Sequence, residues 1–189
     1  MKHDPPSSLH TPAAGRWRRV AVAAALCVLA AVPLSASAGD APIIAKVRAA
    51  TARYLDINVA LGEGWVPATP CVSGPDTGAM GVHLVLPARI GDGVVNASEP
   101  EALIYEPMPS GAMRLVGVEF LVLAADWAKN NPSGGPPSLD GHLMNLVGAP
   151  NRYGLPAFYE LHVWAWEWNP RGTLADWNTR VTCDYQSVP

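Results

Sequence analysis

Residues 157–166 read AFYELHVWAW, and this stretch decides the fold class. Its side chains alternate with a period of two, which is the period of a β-strand. We therefore predict a strand over 157–166 with one mostly apolar face turned towards the core. The other face mixes aromatic and polar groups, and it is expected to carry Phe158, Glu160, His162, Trp164 and Trp166.

The same period occurs upstream. Residues 80–86 alternate and predict a strand with His83 on one face. Residues 102–106 and 114–123 flank the turn-forming segment 107–111, which is typical of a β-hairpin. Together with residues 157–166, these strands indicate an antiparallel sheet.

The turn of this hairpin also predicts its register. Folding about Ser110 brings Glu106 opposite residues close to Arg114. Glu119 lies several residues further along, so Glu106 and Glu119 are expected to miss each other.

A single helix is expected before the sheet, over 42–61, with Asp40 as its N-cap and Gly62 at its end. Apolar residues recur there at steps of three and four, which draws one apolar stripe. Segment 64–81 is rich in proline and glycine, so an irregular loop is predicted. A short helical piece over 124–129 and a last short strand ending at Cys183 complete the prediction.

The fold class is therefore α+β, with an N-terminal helix packed on an antiparallel sheet that is either open or barrel-like. Many glycines and prolines indicate a loop-rich chain.

Residues 1–38 resemble an export signal. Arginines at 16, 18 and 19 precede an apolar run over 20–34, and the small residues 36–38 suit cleavage after Ala38. The apolar run is shorter than the roughly 20 residues that span a bilayer. We expect one mature domain over 39–189, secreted or periplasmic, without a stable membrane span. General secretory export is favoured over the twin-arginine route, because the residues after the arginine pair match that signal poorly.

Charge argues against some partners. The chain has 13 basic and 16 acidic residues, of which four basic and one acidic lie in residues 1–38. The predicted mature part thus has nine basic and fifteen acidic residues, a net charge of about −6. A surface of this sign repels nucleic acid, so no nucleic-acid partner is expected.

Two cysteines remain after the predicted cleavage, Cys71 and Cys183. Thiols tend to pair in an oxidising compartment, so we predict one disulfide between them.

Several segments of the chain resemble a family of uncharacterised secreted, mostly bacterial proteins. The resemblance implies secretion and a common fold, and it brings no activity with it. The segments that carry it are PCVSGP (70–75), GAMGVH (78–83), YEP (105–107), GAPNRYGLP (148–156), YELHVW (159–164) and DWN (176–178) with Cys183.

Histidines and carboxylates on predicted strands suggest a metal site. Glu160 and His162 are two residues apart on one strand, so their side chains point the same way with Cβ atoms roughly 7 Å apart. Imidazole and carboxylate ligands suit a divalent transition metal. The hypothesis names His83, Glu119, Glu160 and His162 as ligands, without selecting a metal or a reaction.

Two alternatives stay open. Trp164 and Trp166 on a sheet face, with Arg152 and Tyr153 on a rim loop, would suit a non-catalytic module that binds a small ligand or a sugar. The polar residues could also be satisfied by hydrogen bonds inside a purely structural or interaction domain.

Overall fold

The computed structural model describes residues 42–186. The expected signal peptide, the cleavage site and the Asp40 cap lie outside these residues. The helices are α1 (Pro42–Thr51), a 3-10 helix (Ala52–Leu55), α2 (Ile57–Gly62), α3 (Pro87–Ile90) and α4 (Ala124–Asn130). The strands are β1 (Val66–Pro67), β2 (Val72–Gly74), β3 (Gly78–Val85), β4 (Ala102–Pro107), β5 (Met113–Leu123), β6 (Ser138–Leu139), β7 (His142–Leu143), β8 (Asn145–Val147) and β9 (Phe158–Val163).

The α+β prediction is confirmed. The principal sheet is antiparallel, with strand order β1-β3-β4-β5-β9-β8, and β2 also pairs with β3. No ladder joins β8 to β1 within residues 42–186, so the sheet is open there. The described helices are all too short or too polar to cross a membrane.

The predicted single helix over 42–61 is wrong in its continuity. Asp56 has an extended backbone, with φ −96° and ψ 110°, and it separates the 3-10 helix from α2. Its carboxylate accepts a hydrogen bond from the backbone N–H of Asn58 at 2.9 Å. Asp56 is therefore an N-cap inside the apolar pattern, and it starts a second helix.

The hairpin of β4 and β5 has the predicted register. Glu106 lies opposite Arg114, whereas Glu119 lies opposite Ala102, so the two carboxylates miss each other. Glu106 instead accepts hydrogen bonds from the Arg114 guanidinium and from the backbone N–H of Thr182.

Other predicted boundaries need correction. Segment 64–81 is not wholly irregular, because β1 and β2 within it pair with β3. No strand ends at Cys183; an isolated bridge between Ala79 and Asn178 is the ladder contact there. Strand β9 ends at Val163, three residues before the predicted end. The short strands β6, β7 and β8 lie in segments where alternation is too brief to detect.

The predicted disulfide between Cys71 and Cys183 is present. It ties the segment after β1 to the C-terminal segment across 112 residues. The backbone N–H of Cys71 also donates to the Gln186 side chain, at 2.6 Å. Each segment also pairs with β3, the first through β2 and the second through the bridge between Ala79 and Asn178.

The sheet has two different faces. One face packs against the N-terminal helices and forms the main apolar core, which includes Ile43, Val47, Tyr54, Leu84, Leu103, Tyr105, Val118, Phe120, Leu161 and Val163. The other carries the polar residues of the candidate site and is covered by loops.

Two glycines allow strands to approach closely on this sheet. A Cβ on Gly117 would lie 2.8 Å from the carbonyl oxygen of Val163. Gly81 has a φ of +90°, and a Cβ there would lie 2.7 Å from the Tyr105 carbonyl oxygen. Both distances are shorter than a side chain tolerates, so glycine is required at both positions.

A buried carboxyl near the sheet gives a pH-dependent stability. Glu101 is 2% exposed, and it accepts a hydrogen bond from the backbone N–H of Leu121 at 2.9 Å. Burial raises the pKa of Glu101 to about 8; the charge of Asp92 adds to this pKa shift and that of Arg89 opposes it. Because the folded pKa lies above the unfolded one, Glu101 favours folding below pH 4.5 and loses this contribution as the pH rises through 8.

Replacing Glu101 with glutamine should therefore remove part of the pH dependence of unfolding. Between pH 6 and pH 8 the free energy of unfolding of the parent protein should fall by about 2 kcal/mol more than that of Glu101→Gln. Urea unfolding at both pH values measures this difference, with the exposed Glu99→Gln as the control. Parallel pH profiles for the parent and Glu101→Gln would contradict the prediction.

Candidate metal centre

Two neighbouring strands place the first pair of site residues. Glu119 of β5 lies directly opposite His162 of β9, and Leu121 lies opposite Glu160. Residues in directly opposed positions have their side chains on the same face of the sheet. The alternation that the sequence predicts for Glu160 and His162 therefore holds within β9.

His83 reaches this pair from β3, which lies on the far side of β4. At about 4.8 Å per strand, a flat sheet would hold β3 and β9 roughly 14 Å apart. The Nε2 atoms of His83 and His162 are nevertheless only 3.5 Å apart. The side chains of His83 and His162 therefore reach towards each other across the two strands that separate them, β4 and β5.

Three potential ligand atoms meet at this point. His83 Nε2 lies 3.5 Å from His162 Nε2 and 3.4 Å from Glu119 Oε2. All three residues are buried, and their ligand atoms lie within 4.8 Å of one another. Neutral N–H donors usually sit 2.7–3.2 Å from their acceptors, so these separations are long for hydrogen bonds.

Burial keeps the two histidines neutral. It lowers the pKa of His83 to about 4 and that of His162 to about 3, the latter with a smaller contribution from His83. Neutral imidazole is the form that binds a metal. On the other side of the His83 ring, Nδ1 lies 3.4 Å from the Thr69 hydroxyl, so Nε2 is the nitrogen that faces the cluster.

Burial has the opposite effect on the carboxyls. It raises the pKa of Glu119 well above its ordinary value, and the neighbouring Glu160 raises it further. Burial also raises the pKa of Glu160; the charge of Asp176 adds to this pKa shift and that of Arg152 opposes it. Both shifts favour the protonated form of the carboxyl groups.

A second group of polar atoms adjoins the first. Glu160 Oε2 and His162 Nδ1 are buried and have no hydrogen-bond partner within the described part of the chain. Asp176 Oδ1 lies 3.8 Å from His162 Nδ1, and Glu160, His162 and Asp176 could also surround an ion. Metal-binding histidines commonly direct their second ring nitrogen towards a carboxylate, as His162 does here.

The four predicted ligands thus divide. His83, Glu119 and His162 converge on one point, whereas Glu160 stands beside it, between Glu119 and the Asp176 group.

Comparison with protein-family models, with curated proteins and with solved structures gives no match to this chain.

The donor set itself limits the chemistry. Two imidazole nitrogens and one carboxylate oxygen suit zinc, iron, manganese or copper in their divalent states. Three protein ligands also leave a coordination position for water or another molecule.

The rim residues behave differently from each other. Tyr153 contributes to the wall of a cavity that His83 and Glu119 also line. Burial raises the pKa of Tyr153 to about 12, and the neighbouring Glu119 adds to the shift. Arg152 is exposed, and its guanidinium lies over the rings of Tyr153 and Trp177, outside the cavity wall.

The prediction that Trp164 and Trp166 share one face is wrong. Trp164 is buried, packs beside the His162 ring and donates through Nε1 to the Ala175 carbonyl. Trp166 packs against the helical side and donates to the Thr51 hydroxyl at 3.0 Å. Because β9 ends at Val163, the two-residue alternation stops before either tryptophan, and no paired aromatic platform forms.

Two residues of the site were missed from the sequence. Asp176 lies in the DWN segment, but nothing in its spacing relates it to His162. Thr69 lies in the proline-rich segment before Cys71. Both reach the site on segments that pair with β3, through the backbone hydrogen bond from Ala68 to His83 and the bridge between Ala79 and Asn178, which is a long-range effect without a local pattern.

Proposed function

We propose that this chain is a metal-binding protein that holds one divalent transition-metal ion with His83 Nε2, His162 Nε2 and Glu119 Oε2. The observation that carries the proposal is the spacing of these atoms, 3.5 Å and 3.4 Å from His83 Nε2. Metal–ligand bonds of about 2.0–2.1 Å at a tetrahedral angle place ligand atoms about 3.3 Å apart. The buried side chains are thus spaced as ligands of a single ion.

The protonation states also favour an ion. Both imidazoles are neutral, so they need lose no proton to bind. Burial and the neighbouring Glu160 raise the pKa of Glu119, and a bound cation would stabilise its ionised form. Because the surrounding histidines are neutral, the positive charge that stabilises the ionised carboxylate would come from the bound ion.

The proposal is tested by metal content. Untagged protein with its disulfide intact is exposed to zinc, manganese, ferrous iron or copper, desalted and analysed by elemental mass spectrometry. We expect close to one ion per chain. Replacing a ligand in His83→Ala, His162→Ala or Glu119→Gln should weaken binding by more than about 100-fold.

Matched controls separate the loss of a ligand from general damage. His142→Ala removes a half-buried histidine of β7, and Glu101→Gln alters a buried carboxyl outside the cluster. Both controls should retain the ion, and circular dichroism should show that every variant is folded. The proposal would be overturned if the parent protein bound no metal after this treatment, or if folded ligand variants still bound it.

A further inference from the structure

A cavity of about 170 Å³ adjoins the three proposed ligands. His83 and Glu119 form part of its wall, so a coordination position left open by the protein would face this space. The segment around Thr69 and the loop that carries Tyr153 and Leu155 form its outer wall.

The remaining wall is mostly apolar. Its residues are Ala68, Val85, Ile90, Leu121, Leu155 and Phe158. An apolar cavity of roughly 150 Å³ is enough to bind benzene. The ring of Phe158 meets that of Tyr153 edge to face, with centroids 5.9 Å apart, so the wall offers aromatic surface to a third ring.

The Tyr153 hydroxyl is available to a ligand. It donates to the sulfur of Met80 at 4.0 Å, and a thioether is a weak acceptor. A stronger acceptor on a molecule in the cavity would gain this hydrogen bond. The cavity thus combines an apolar wall, one weakly bonded hydroxyl and an edge formed by two proposed metal ligands.

We infer that this cavity binds a single-ring aromatic molecule that places one phenol or carboxylate oxygen on the ion held by His83, Glu119 and His162. The inference rests on the proposed function, because the ion supplies the attachment point. The ring occupies the apolar part of the cavity, and Tyr153 donates to the coordinated oxygen.

The test uses cobalt-loaded protein, whose visible spectrum reports the coordination of the ion, together with calorimetry. The probes are benzoate and phenol; acetate has the donor without the ring, and toluene has the ring without the donor. Benzoate or phenol should change the spectrum and bind at least about tenfold more tightly than acetate, because the ring is buried. Toluene should leave the spectrum unchanged.

Variants locate the binding site. Leu155→Trp fills the cavity from the loop. It should lower the affinity for the aromatic probe at least about tenfold, while the cobalt content stays at one ion per chain. Leu146→Trp, at an exposed position of β8, is the matched control and should bind like the parent. Tyr153→Phe should weaken binding while keeping the ion.

The two possible failures are distinguishable. In the first case cobalt binds, but benzoate and phenol bind no more tightly than acetate, or they bind to Leu155→Trp as tightly as to the parent. This inference is then overturned and the metal site stands. If no ion binds, the proposed function fails and the inference fails with it.

Discussion

Removing the disulfide should destabilise the fold more than any other change considered for this chain. The Cys71–Cys183 bond closes a loop of 112 residues. In the chain-entropy account such a loop restricts the unfolded chain by about 4 to 5 kcal/mol. We therefore expect Cys71→Ala with Cys183→Ala to lower the free energy of unfolding by about 4 kcal/mol, as measured by urea denaturation.

The reduced parent protein is the control for this experiment. It lacks the same bond but keeps both sulfur atoms, so its stability should match that of the double variant. The loss should also extend to the site, because Thr69 and Asp176 lie on the two segments that the bond joins. A double variant as stable as the oxidised parent would contradict the prediction.

The second large effect concerns the polar cluster. His83, Glu119 and His162 are buried at separations that are long for hydrogen bonds, and His162 Nδ1 has no hydrogen-bond partner among residues 42–186. Replacing such a group with apolar side chains of similar size often stabilises a protein by 1–4 kcal/mol. The triple variant His83→Leu, Glu119→Met, His162→Leu should thus be about 2 kcal/mol more stable than the metal-free parent.

This result separates a binding role from a structural one. If the cluster serves to hold the sheet together, the triple variant should instead be destabilised. Glu106→Met is the matched control, because Glu106 is buried and well bonded to Arg114 and Thr182. Urea denaturation of metal-free samples should show Glu106→Met less stable than the parent and the triple variant more stable.

The triple variant should also bind no metal. In the parent, added metal should raise the stability, because an ion that binds only the folded state stabilises it by mass action. The triple variant should show no such response. Equal stabilisation of both proteins by the ion would place the binding site elsewhere.

Local patterns in the sequence predicted much of the sheet correctly. Alternation with a period of two located β3, β4, β5 and most of β9, and the turn at Ser110 set the register of the β4–β5 hairpin. The helix was less well predicted, because an apolar stripe continues across the interruption at Asp56. Periodicity reports which side chains face the core, and it does not report where the backbone changes direction.

The sequence grouped His83, Glu119, Glu160 and His162 as one set of ligands, and the structure divides this set. His83, Glu119 and His162 come together, whereas Glu160 adjoins them and Asp176 was missed. A strand pattern states the face of each residue and gives no distance between strands that are not neighbours. The side chains of His83 and His162 meet across β4 and β5, and no local signal describes that contact.

The sequence by itself thus determined the α+β class, the hairpin register, the pairing of Cys71 with Cys183 and the shared face of Glu160 and His162. These features depend on neighbouring residues or on a single possible partner. The tertiary structure alone decided the strand order, the end of β9 before Trp164 and the convergence of three strands on one buried point. Those features depend on contacts between residues far apart in the chain, whose geometry follows from the packing of the whole sheet.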